Sequence, residues 1–76
     1  MRDFNRVTFD PTIMGGKPVI RGMRVTVGAI VGLVAAGYTH EKILELYPYL
    51  ERDDIGEALR YAAWRADEME QPFDPA

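Results

Sequence analysis

The 76-residue chain has no cysteine and no serine, and a single histidine, His40. Without cysteine, neither a disulfide framework nor a thiolate zinc site can stabilise it, and one histidine cannot build a His-based metal cluster. A Ser- or Cys-based catalytic triad lacks its nucleophile. Asp53 and Asp54 are neighbours in sequence, so on a helix they diverge and do not form an acid–base dyad. No enzyme activity, cofactor or metal is expected. The N-terminus has no apolar signal segment and no apolar run is long enough to cross a bilayer, so a soluble cytoplasmic protein without a membrane partner is expected. At this length the chain is one small domain with a limited core, for which self-association or a partner is a natural source of stability.

Charge is what the chain distributes unevenly. The net charge is −3. Residues 1–38 carry five basic and two acidic residues, whereas residues 39–76 carry four basic and ten acidic ones. Such asymmetry suggests two surfaces with different partners, a basic one suited to phosphates and an acidic one that repels them. A solvated acidic helix would produce the same imbalance.

The basic half is organised around Gly15–Val27, GGKPVIRGMRVTV, with three glycines and three cations. Arg6–Phe9 alternates polar and apolar residues, as a short strand does. Asp10-Pro11 starts a single helical turn that Gly15-Gly16 ends. Pro18–Ile20 and Arg24–Val27 read as the two sides of a hairpin reversing at Arg21-Gly22-Met23. The spacing Lys17-Pro18 does not fit a nucleotide phosphate loop, which needs Ser or Thr after its lysine.

From Val27 the period becomes helical. Val27, Ile30, Val31, Val34 and Ala35 predict a first helix that Gly37 follows. Thr39 caps a second helix, about His40 to Leu46, with Ile43, Leu44 and Tyr47 inward and Pro48 as its stop. A third helix begins near Glu51 or Arg52 with acidic residues in its first turn. Its expected apolar stripe is Ile55, Ala58, Leu59, Ala62, Ala66 and Met69. The predicted organisation is a β-rich basic arm over 1–27, three helices over 28–70 and a tail over 71–76, all in one mainly α domain.

Asp10-Pro11, GGKPVIRGMRVTV, Ala36-Gly37, Tyr47-Pro48 and Asp54-Ile55-Gly56-Glu57-Ala58-Leu59-Arg60-Tyr61-Ala62 together resemble the bacterial family called domain of unknown function 433, over most of the chain. Two positions depart from the pattern: Met23 where threonine is usual, and Glu51 where Thr or Ser often caps the third helix. The resemblance implies a homeodomain-like helix-turn-helix fold. It also implies the antitoxin of a type II toxin–antitoxin pair, neutralising a PIN-like ribonuclease and binding operator DNA for autoregulation, as a homodimer.

Candidate DNA contacts are Arg6, Lys17, Arg21 and Arg24 on the arm, with Thr39, His40 and Lys42 at the second helix. The third helix presents Arg52, Asp53, Asp54 and Glu57 first, and three carboxylates suit a phosphate-lined groove poorly. The alternative for the arm is turn geometry alone, with Arg24 paired to a third-helix carboxylate. Candidate partner-binding residues are Tyr61, Trp64, Met69 and Phe73, since aromatics at the flank of an apolar stripe are enriched at interfaces. Asp67, Glu68, Glu70 and Asp74 could compete with RNA for a nuclease's cationic cleft. The competing function class is a protein–protein interaction or oligomerisation module without DNA binding.

Overall fold

The computed structural model describes residues 4–69. Phe73, Glu70, Asp74 and the side chain of Met69 lie outside the described residues. Two short strands, β1 (Val7–Thr8) and β2 (Val19–Ile20), precede three helices, α1 (Val27–Ala35), α2 (His40–Leu46) and α3 (Arg52–Met69). The fold is mainly α with a two-stranded antiparallel N-terminal element.

The expected reversal at Arg21-Gly22-Met23 forms, and β2 also takes a second antiparallel neighbour that the sequence reading did not pair with it. β1 pairs with β2, Val7 opposite Ile20 and Thr8 opposite Val19. The Arg24–Val27 side pairs with the other edge of β2 through an antiparallel bridge of Val19 with Thr26, the Ile20 N–H donating to the Val25 carbonyl at 3.1 Å and the Val27 N–H to the Pro18 carbonyl at 3.0 Å. Between the strands, Asp10 accepts the Thr12 N–H and hydroxyl at 2.9 and 2.7 Å, so Asp10-Pro11 starts an Asx-type turn rather than a helix. The helical turn is a 3-10 turn at Met14–Gly16.

Each helix start follows local chemistry. The Thr26 hydroxyl accepts the Ala29 N–H at 3.0 Å and caps α1, a cap the sequence reading did not single out. The Thr39 hydroxyl caps α2 at 3.1 Å from the Lys42 N–H. Gly37, at φ +94°, takes the left-handed turn that ends α1. α3 begins with half of a capping box: Asp54, its third residue, accepts the Glu51 N–H at 2.8 Å. That arrangement compensates for Glu51 standing where a capping hydroxyl is usual.

The core joins all elements: Val7 and Ile20 from the strands, Val25 and Val27, Ile30, Ile43, Leu50, and Ile55, Ala58 and Tyr61 of α3. The basic arm is therefore part of the core, not an appendage. The predicted α3 stripe holds for Ile55, Ala58, Leu59 and Ala62, but Ala66 is exposed because α3 runs past the body it packs on.

Candidate functional site

α3 carries a second stripe that the apolar pattern hides. Asp54, Glu57, Tyr61 and Trp64 are spaced i, i+3, i+7, i+10, so they share one helix face. That face seats the arm. Asp54, Glu57 and Tyr61 are buried, which corrects the expectation that Asp54 and Glu57 are among the first exposed residues of this helix. Phe4 meets Tyr61 edge-on at 5.3 Å between centroids and Trp64 at 5.6 Å, and Phe9 meets Tyr61 at 6.1 Å. Tyr61, expected at an interface, is a core residue, and Trp64 packs half-buried against the same cluster.

At the N-terminal end of this face lies an ion cluster. Continuing the strand register by one residue sets Arg6 opposite Arg21, and the Arg21 N–H donates to the Arg6 carbonyl at 2.7 Å. Opposite residues of an antiparallel pair project to the same side, and two like charges there would repel. Asp54 resolves this. One of its oxygens accepts Arg6 Nη1 at 2.8 Å and Arg21 Nε at 3.1 Å. The other accepts Arg21 Nη2 at 2.8 Å and the Glu51 N–H at 2.8 Å. The two-pronged Arg21 contact is the geometry that gives a guanidinium–carboxylate pair its specificity. Arg6 also reaches Glu51 at 2.7 Å and Asp53 at 3.6 Å, and its backbone N–H donates to Glu57.

Arg21 sits at φ +47° and Gly22 at φ +71°, with the Met23 N–H donating to the Ile20 carbonyl at 2.8 Å. Positive φ at both central residues is the type I′ arrangement, which glycine and asparagine favour and arginine does not. A bond from Arg21 Nη2 to the Tyr49 carbonyl at 3.2 Å ties the turn to the α2–α3 connection.

Asp54 is completely buried, while the Arg6 and Arg21 side chains are 28% and 35% exposed. Burial by itself would raise the Asp54 pKa, but the Arg21, Glu51 N–H and Arg6 hydrogen bonds outweigh it and hold it down at about 2. The Arg6 guanidinium is stabilised in its charged form by hydrogen bonds to Glu51 and then Asp54, and that of Arg21 by Asp54.

The expected DNA contacts thus separate into groups. Arg6 and Arg21, expected to face phosphate, are turned onto the protein's own carboxylates. Lys17 and Arg24 are exposed and have no ion-pair partner among the described residues. The expected pairing of Arg24 with α3 is therefore corrected: Arg6 and Arg21 hold that position. Thr39 is engaged as a cap, Lys42 lies 3.5 Å from Glu45, and His40 is half-buried. Arg52 pairs with Glu41 at 2.6 Å across α2 and α3.

A different surface escaped the sequence reading. α1, VGAIVGLVA, contains no charged or polar side chain, yet Gly28, Ala29, Gly32 and Ala35 are exposed. The absence of any polar residue on a whole helix was the signal that could have found it. Among the described residues, no group of three or more His, Cys, Asp or Glu side chains is placed to hold a metal ion, and no helix is long and apolar enough to cross a membrane.

A family model described as "Protein of unknown function (DUF433)" matches residues 7–62. The chain is 46% identical over 56 residues to the uncharacterized protein y4eO of Sinorhizobium fredii (strain NBRC 101917 / NGR234), a match covering 74% of this chain and 25% of that protein. It therefore spans a quarter of the length of this curated relative. The crystal structure of a DUF433 member protein from Anabaena variabilis ATCC 29413 superposes with a TM-score of 0.77 at 26% identity, over 84% of this chain and 63% of that one.

Proposed function

This chain belongs to the DUF433 family, and on that premise we propose that it is a non-catalytic protein-binding module, the antitoxin of a PIN-like ribonuclease, which it captures through the bare face of α1. The observation that carries the reading is α1 itself. A helix apolar all round is ordinarily covered on every side, and this one is covered on one side only. Gly28 and Gly32 lie one turn apart on the open side, and no atom lies within 4 Å of where a Cβ on Gly32 would stand, so another backbone can approach closely.

The ion cluster argues against the DNA-reading half of the antitoxin role in the free chain. The first turn of α3, which would enter a major groove in the usual docking, is occupied by Arg6 and Arg21 and rimmed by exposed Glu51 and Asp53. A surface of that kind suits a protein partner better than a phosphate backbone.

Co-expression with a PIN-like ribonuclease, sought in the adjacent reading frames, tests the reading. The wild-type chain relieves the nuclease's toxicity, and Gly32→Arg, which places a charge on the open face where there is room for it, abolishes relief while its circular dichroism is unchanged. A nuclease that stays toxic beside the wild-type chain refutes the antitoxin role. Relief that survives Gly32→Arg refutes the α1 face as the contact.

A further inference from the structure

We infer that Asp54 is an internal competitor for phosphate: by holding Arg6 and Arg21 from the inside, it keeps the most cationic segment of the chain from engaging DNA. The inference is independent of the antitoxin reading, since it concerns what the free chain does not bind.

The geometry is that of a mask rather than a plain structural tie. In the node the anion is fully buried and both arginine side chains stay partly exposed, with the donors aimed at Asp54 already taken. Arg21 presents Nε and Nη2 side by side to the two carboxylate oxygens. That fork is equally matched to the oxygens of a phosphate. Arg21 also holds a left-handed conformation that costs a non-glycine residue about 1 kcal/mol. Glycine or asparagine would fit the turn without that cost, so the guanidinium, not the backbone, accounts for arginine here. Lys17 and Arg24, on the same arm, remain exposed with no ion pair among the described residues. Freed of Asp54, the arm would offer Arg21 beside Lys17 and Arg24, three cations to a phosphate chain instead of two, because Arg6 keeps its pair with Glu51.

Asp54→Asn is the discriminating variant. Its amide oxygen can keep the Glu51 N–H, preserving the start of α3, while its NH2 group meets Arg21 Nε and Arg6 Nη1 donor to donor, so the two-pronged hold on Arg21 is lost and Arg21 can turn outward. Asp53→Asn makes the same charge change one residue away, on an exposed carboxylate that meets Arg6 only at 3.6 Å and does not touch Arg21. The measurement is fluorescence-anisotropy titration of a short duplex DNA over a range of salt concentrations. Asp54→Asn is expected to bind several-fold tighter than wild type, with a salt dependence steeper by roughly one phosphate contact. Asp53→Asn stays near wild type, and adding Arg21→Gln to Asp54→Asn reverses much of the gain.

A folded Asp54→Asn with wild-type affinity, or an equal gain in Asp53→Asn, overturns the inference. Should Asp54→Asn not fold, Arg21→Gln alone decides. A masked Arg21 contributes nothing, so wild-type DNA affinity is unchanged, whereas Arg24→Ala lowers it. A loss of affinity in Arg21→Gln shows that Arg21 contacts DNA despite Asp54 and overturns the inference too.

Discussion

Replacing Asp54 by alanine removes the carboxylate on which two guanidinium groups and a helix N-terminus converge. Breaking a buried pair by deleting one partner costs about 3–5 kcal/mol, because the remaining charge is stranded. Here the stranded groups are the arginines, and both lie partly in solvent and can rehydrate, which brings the loss to the low end of that range. Losing the bond to the Glu51 N–H adds about 1 kcal/mol at the start of α3. The sum is about 3–4 kcal/mol, against the ~3–5 kcal/mol that a core of this size supplies. Asp54→Ala is therefore expected to be largely unfolded without denaturant. In urea, followed by far-UV circular dichroism, wild type should unfold with a midpoint of ~3–5 M for a slope of about 1 kcal/mol/M, whereas Asp54→Ala should show no folded baseline. A midpoint within ~1 M of wild type would mean that the arm and α3 are held by their apolar contacts alone, and the reasoning would be refuted.

Tyr61→Ala empties the place where Phe4 and Phe9 meet α3 and should cost about 3 kcal/mol in the same assay, whereas an interface residue would alter association and leave the midpoint unchanged. Thr39→Ala removes the cap of α2 and should cost about 1 kcal/mol, and no loss would show that water replaces the hydroxyl. The pH dependence follows from the sign of the Asp54 shift. Its folded pKa lies below the ordinary 3.8, so its stabilisation is complete above that value and is lost as pH falls through 3.8 towards about 2. Urea midpoints across that window should drop for wild type, and a flat profile would contradict the buried pair.

The sequence reveals what is local. Thr39 and Pro48 frame α2, Gly37 closes α1, and the i, i+3, i+4 spacing of Ile55, Ala58 and Leu59 marks one face of α3. What it conceals lies at long range. Arg6 and Arg21 find Asp54 across 48 and 33 positions, and no periodicity encodes which of several carboxylates a cation selects. Tyr61 falls outside the stripe Ile55–Ala58–Leu59–Ala62 because α3 is covered on two faces, one by its fellow helices and one by the arm. Only the mixed polar–aromatic spacing of Asp54, Glu57, Tyr61 and Trp64 hints at the second. The family pattern contains Asp54-Ile55, and local reading placed this aspartate among the solvated charges of a helix start. Its burial comes from the strand register that delivers two arginines to it. The exposed side of α1 was overlooked for a different reason: hydrophobic residues at helical spacing read as core, and glycine and alanine between them read as neutral filler.

Arg21 and Asp54 act as one unit, and a double-mutant cycle measures this directly. Arg21→Gln, Asp54→Asn and the double variant are compared with wild type by urea unfolding at neutral pH. Strong coupling is expected, with the double variant about as stable as Asp54→Asn alone, because most of what Arg21 contributes depends on Asp54 being present. Two single losses that simply add would show Arg21 and Asp54 to be independent, and the inward commitment of the arm's charge would be contradicted.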